Sequence, residues 1–327
     1  MTSKSLSEVI EEYCQWMAIA NFSPNTIEVH RRYLCYFRIW CEDRSTTTPG
    51  EVTKQTVERY QKYLYNYRQA KSGEPLSFES QHKRLGLVRN LFKWLSKNNS
   101  ILFNPASDIE FPKKEHRLPR YIFTSKEAET VLNQPDVSTP LGIRDRSILE
   151  TLYSTGVRRM EIRKIHIYDL DMDRGTVRIN QGKGRKDRVV PIGERALKWI
   201  EKYLCDVRPF LVQEPDNQIL FLTARGRQIS EDYFTQMAGI YVKKSGLGKK
   251  GSCHIFRHTA ATLMLENGAE IRYIQEMLGH SSLATTQLYT QISIRKLKEV
   301  HTQTHPTSLM SETLSNLNHS DTEIPPS

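Results

Sequence analysis

The sequence predicts a mainly α-helical protein with a small β-sheet, divided into two domains. Three observations lead there. At 327 residues the chain is too long for one minimal domain and long enough to bury two cores. Residues from about 5 to 100 keep a helical apolar period throughout, whereas the rest mixes helical stretches with a few short strand-like segments. Between the two, NPASDIEFPKKEHRLPRY carries three prolines and a charge cluster, the composition of an extended linker. The expected division is a helical domain over 1–112, a linker over 113–120, a second domain over 121–306 and a disordered tail over 307–327. That tail is rich in Ser, Thr and Asn and ends EIPPS, too polar to fold by itself.

In the first domain, Ser23 is placed to cap a helix whose first turn holds Pro24. Ile27, Tyr33, Leu34, Phe37 and Trp40 form its apolar stripe, with His30, Arg31, Arg32 and Arg38 on or near the surface. VTKQTVERYQKYLYNYRQA has the same character. KSGEPLS breaks the pattern, and FESQHKRLGLVRNLFKWLSKN resumes it with Leu85, Val88, Leu91, Phe92 and Leu95 at helical spacing. The second domain begins helical with TSKEAETVLN and GIRDRSILETLYSTG, then changes to expected strands at IHIYDL, TVRIN and RVVPIG. The last two flank QGKGRKD, which reads as a β-hairpin with a basic tip. Helical periodicity returns from Glu194 and again after Ser230.

Composition narrows the function. A formal net charge of +10 and a pI near 9.3 favour a polyanionic partner, since clustered Lys and Arg gain affinity by displacing counterions from phosphates. The basic surplus concentrates in the second domain. The start, MTSKSLSEVIEEYCQW, lacks a basic segment followed by an apolar one, and no window approaches a membrane span, so a soluble cytoplasmic protein is expected. Cys14, Cys35, Cys41, Cys205 and Cys253 are odd in number and contain no CxxC, which suggests neither a disulfide framework nor a zinc ribbon.

Chemistry-bearing residues are densest in CHIFRHTAATLMLENGAEIRYIQEMLGHSSLATTQLYTQ. On a helix His254, Arg257 and His258 fall at i, i+3 and i+4 and can share a face. His254 and His258 have zincin spacing, but Ile255 occupies the position of the glutamate base, which argues against a metal site. The alternative is a phosphate site, with Arg257 donating to two oxygens and His254 moving a proton. Gly279 stops the next helix, His280 follows directly, and Tyr289 ends SSLATTQLY. A lone tyrosine is far more often a packing residue than a nucleophile. Its neighbours change that weighting.

This segment closely resembles the C-terminal signature of the tyrosine recombinases, the phage integrases and bacterial Xer recombinases. LYSTGVRRMEI resembles the first arginine box of that family and assigns the role to Arg158, with Arg159 beside it as a backbone contact or surface charge. NQGKGRKDRVVPIG resembles the lysine hairpin and assigns the lysine to Lys183, with Lys186 a competitor in the same tip. SPNTIEVHRRYL and VRNLFKWL look like the core-binding domain, and the likeness runs from about residue 8 to 306. It implies an all-helical, SAM-like core-binding domain followed by a mixed α/β catalytic domain. The implied active site is Arg158, Lys183, His254, Arg257, His280 and Tyr289.

By the same resemblance, Tyr289 attacks a DNA phosphate and forms a 3′-phosphotyrosyl link. The arginines and His280 hold the phosphate, His254 relays the phenol proton, and Lys183 protonates the departing 5′ oxygen. No cofactor and no metal are expected, in keeping with the lack of a GxxxxGK[ST] loop. The implied partners are double-stranded DNA bearing specific sites and further subunits, in a homo-tetramer or a hetero-tetramer with a second recombinase. IRKLKEV is a candidate for packing on a neighbouring subunit or on its own domain. A type IB topoisomerase and an inactive DNA-binding accessory protein are the rival readings.

Overall fold

The computed structural model describes residues 4–70, 72–113, 121–180 and 187–279. It divides into two compact units, Met1–His116 and Arg117–Ser327. The expected linker falls mostly outside the described residues, and the expected tail and the IRKLKEV segment wholly so.

The first unit is helical. Helices α1 (Leu6–Ile19), α2 (Pro24–Glu42), α3 (Lys54–Asn66) and α4 (Phe78–Lys97) each begin at a hydroxyl cap, on Ser5, Ser23, Thr53 and Ser77. Each hydroxyl accepts a backbone N–H that the first turn would otherwise leave without a partner. Apolar faces meet in one cluster, in which Leu6, Met17, Leu34, Phe37, Leu64, Leu85 and Phe92 are fully buried. Each such side chain contributes about 1.5–3 kcal/mol over its exposed state. Phe37 anchors the centre, edge-on to Tyr60 at 4.9 Å and to Phe92 at 6.2 Å.

The expected stripes of α2 and α4 point inward, with Ile27 and Tyr33 only partly buried at the margin. Helix α3 is shorter than its periodicity suggests. Gln69 N–H donates to the Glu74 carbonyl (2.9 Å) and Arg68 bridges Pro75, so a tight turn through Gly73 at φ +68° takes the chain out of the helix.

The second unit contains α5 (Ser125–Leu132), α6 (Pro140–Thr155), α7 (Arg159–Ile162), β1 (Leu170–Asp171), β2 (Thr176–Ile179) and β3 (Arg188–Pro191). It continues with α8 (Glu194–Asp206), α9 (Arg208–Leu211), α10 (Glu231–Lys244), α11 (Cys253–Glu266) and α12 (Ile271–Leu278). The strands form an antiparallel sheet in the order β1-β2-β3, with Val177 opposite Val190 and Ile179 opposite Arg188. A mainly helical protein with a small sheet is thus the observed fold class. IHIYDL departs from its expected continuous strand: His166 makes an isolated antiparallel bridge to Ile219, Ile167–Asp169 form a 3₁₀ turn, and Leu170–Asp171 pair as β1. The Asp169 carboxylate accepts the His166 N–H (2.8 Å) and the Asn180 amide (2.7 Å), a side-chain pull stronger than the apolar alternation.

Helix α6 crosses the core beside α8 and α11 and is buried along nearly its whole length. Its charges are paired in place: Arg144 with Asp145 at 2.7 Å and Arg146 with Glu150 at 2.7 Å. The Tyr241 hydroxyl donates to Asp145 (2.9 Å), tying α10 to the same row. Gly193 N–H donates to Ser154 Oγ at 2.7 Å and so docks the end of β3 on α6. The three buried cysteines, Cys14, Cys41 and Cys253, pack in the cores as free thiols. No described helix is long and apolar enough to cross a membrane.

Candidate active site

Three helix ends converge in the second unit. Helix α6 stops at Gly156, whose φ of +58° is the left-handed cap conformation. Two residues later the chain delivers Arg158, which precedes the short helix α7. Helix α12 stops at Gly279 in the same way, at φ +63°. Its last carbonyls lie beyond the reach of the helix's own N–H groups, at the negative end of the helix dipole.

Three arginines from distant parts of the chain satisfy three successive carbonyls there. Arg188 Nε donates to Met277 (2.9 Å), Arg257 Nη2 to Leu278 (2.7 Å) and Arg158 Nη2 to Gly279 (3.0 Å). Arg257 also donates from Nη1 to the Gly156 carbonyl at 2.5 Å, which links the two glycine-capped ends. The structure therefore brings Arg158 and Arg257 together, 99 positions apart in sequence, immediately before residue 280. His254 lies one turn before Arg257 on α11.

The His254 ring reaches solvent but is crowded by protein, and its pKa is lowered. Desolvation is the largest cause, followed by the positive charges of Arg159, Arg257 and Arg158. The imidazole is consequently neutral at pH 7 and able to accept a proton. His258 behaves similarly, pushed down to about 4 by burial and then by His254 and Arg257. Lys183, His280 and Tyr289, the other expected site residues, lie outside the described residues, as do Lys186 and the short helix expected before Tyr289.

Arg158 and Arg159 point to different neighbours. Arg158 faces the α12 end, whereas Arg159 donates to Thr235 Oγ1 (3.0 Å) and pairs with Glu231 at 3.7 Å, both on α10.

Two residues at this place were missed by sequence reasoning. The Glu161 carboxylate accepts the Arg158 backbone N–H on Oε2 (2.9 Å) and Arg158 Nη1 on Oε1 (2.9 Å). Arg188 reaches the same oxygens from β3, at 3.0 and 2.8 Å. Burial alone would raise the pKa of Glu161, but the hydrogen bonds from Arg188 and the Arg158 N–H, with both positive charges, bring it down to about 2. It is ionised at every working pH. The R-x-x-E spacing at a helix start could have flagged Glu161; nothing local marks Arg188.

At Gly156 a Cβ would stand 2.9 Å from Leu278 Cδ2 and force that methyl to shift, on a backbone that disfavours L residues. Gly156→Ala is expected to lower stability by about 1–2 kcal/mol from the backbone alone. It should also loosen the Arg257 contact. A urea midpoint equal to that of the wild type would contradict this.

Residues 122–295 match the model of the phage integrase family, and residues 5–109 match the phage integrase SAM-like domain. The chain belongs to the phage integrase family. Tyrosine recombinase XerC 2 of Ralstonia nicotianae is 41% identical over 307 residues, spanning 94% of this chain and 88% of the relative. Tyrosine recombinase XerD of Staphylococcus epidermidis is 33% identical over 302 residues, spanning 92% and 99%.

A solved structure of the XerH site-specific recombinase bound to its palindromic difH substrate, a post-cleavage complex, superposes with a TM-score of 0.71. At 22% identity, covering 90% of this chain and 84% of XerH, it establishes the shared fold. Site-specific tyrosine recombination, the cleavage and rejoining of DNA strands, is the activity this membership supports.

Proposed function

We propose that this family member recombines double-stranded DNA at specific sites through Tyr289, with Arg158, Lys183, His254, Arg257 and His280 serving the same phosphate. The observation that carries the reading is the meeting of Arg158 and Arg257 at the carbonyl end of α12, next to position 280 and beside a neutral His254. Guanidinium groups are always charged and present a planar fork of N–H donors. They suit a phosphate whose non-bridging oxygens gain charge as a fifth oxygen approaches phosphorus.

The phenol, with an ordinary pKa near ~10, requires a proton acceptor, and His254 takes that proton as the Tyr289 oxygen bonds to phosphorus. The bond from phosphorus to the 5′ oxygen breaks, and Lys183 delivers the proton that makes this oxygen a competent leaving group. A 3′-phosphotyrosyl link and a free 5′ hydroxyl result. One phosphoester has replaced another, so a 5′ hydroxyl from a second strand can reverse the step without ATP. Exchange between two duplexes uses four such sites, in a tetramer of this chain or of this chain with a second recombinase. A cytoplasmic location fits that role.

The test is single-turnover formation of a denaturation-resistant protein–DNA complex on a nicked site, followed across pH. Because His254 must be neutral to act and its pKa is lowered, the rate is expected to hold at pH 7. It should fall on acidification only below pH 6.5, the ordinary histidine value. An acid limb that persists unchanged in His254→Gln would remove His254 from the role. Relaxation of supercoiled DNA of any sequence, with no recombinant product, would favour the topoisomerase reading.

A further inference from the structure

Arg188 opens β3, well away in sequence from either catalytic arginine, yet its side chain is only 11% exposed and makes three charge-assisted contacts. Two go to the two Glu161 oxygens and the third to Met277 at the end of α12. Glu161 Oε1 is shared, accepting Arg158 Nη1 at 2.9 Å and Arg188 Nη1 at 3.0 Å. Consider the charges without Arg188. An ionised, buried Glu161 would pair with Arg158 alone, and the pair would be neutral where the reaction calls for a cation. With Arg188 present, the triad Arg158–Glu161–Arg188 keeps one positive charge, and the bidentate grip draws the carboxylate toward β3.

We infer that Arg188 is a positioning residue for strand cleavage: it occupies the Glu161 carboxylate so that Arg158, held in place by Glu161, still presents net charge to the phosphate. The inference rests on the proposed role of Arg158. It differs from a plain fold-stabilising contact in one respect. Removing the carboxylate should compensate for removing Arg188, since no negative charge is then left to neutralise Arg158.

Single-turnover cleavage of a nicked site is measured for the wild type, Arg188→Gln, Arg188→Lys, Glu161→Gln and the Arg188→Gln/Glu161→Gln double variant, with DNA affinity and melting temperature alongside. Glutamine keeps a donor for the Met277 carbonyl. Arg188→Gln is expected to slow cleavage by at least ~10-fold with DNA affinity changed less than ~3-fold, and the double variant to regain most of that loss. Arg188→Lys, which retains the charge but not the fork, should fall between.

A double variant as slow as Arg188→Gln, or an Arg188→Gln enzyme at the wild-type rate, overturns the inference. If Arg188→Gln does not fold, the comparison of Arg188→Lys with Arg188→Lys/Glu161→Gln decides it by the same criterion. Arg158→Ala in the same assay separates the two levels. A fully active Arg158→Ala would sink the role of Arg158 itself, whereas an inactive one beside an unaffected Arg188→Gln sinks only the role of Arg188.

Discussion

Tyr289→Phe is expected to bind its DNA site as the wild type does and to form no covalent complex that survives denaturation, a loss of at least ~10⁴-fold. The substitution removes one oxygen and keeps the ring and the charge, so the change is confined to the proposed attacking atom. The arginines would still hold the phosphate, which is why binding should persist while chemistry stops. A denaturing gel of the nicked-site reaction reads the outcome directly. A covalent complex persisting in this variant would place the nucleophile on another residue.

The second large effect separates two adjacent arginines. Arg158→Ala should reduce cleavage by ~10²–10³-fold or more, the usual cost of losing a donor aimed at developing charge. Arg159→Ala should stay within ~10-fold. The contacts give the reason: Arg158 reaches the Gly279 carbonyl and Glu161, whereas Arg159 lies 38% exposed against α10. An exposed pair such as Arg159–Glu231 is worth no more than ~1 kcal/mol. Arg158→Ala also leaves a buried carboxylate short of one partner. Its melting temperature must therefore be measured with its rate, and Arg158→Lys, which keeps the charge, gives the check. The opposite ranking of the two alanine variants would shift the phosphate-binding arginine by one residue.

Which parts of the molecule could be read in advance follows from the range of the forces involved. Helices α2, α4, α6, α11 and α12 were readable because their information is local. The hydroxyl cap at Ser23, the glycine stop at Gly279 and an apolar side chain every three or four residues each act within a turn or two. IHIYDL breaks its expected strand because the Asp169 carboxylate takes the His166 N–H and is itself held by the Asn180 amide, contacts that apolar alternation does not carry.

The candidate site divides in the same way. The sequence by itself determined which residues are candidates and their order, from Arg158 through Lys183, His254, Arg257 and His280 to Tyr289, because a motif is a local pattern. Tertiary structure alone decided that Arg158, Arg188 and Arg257 meet on three consecutive carbonyls of α12, and that Glu161 lies between two of them. Helix ends must find partners for their last carbonyls, and the sequence shows that such partners are required. Which distant guanidinium supplies each one is settled only when α6, α11, α12 and β3 pack together.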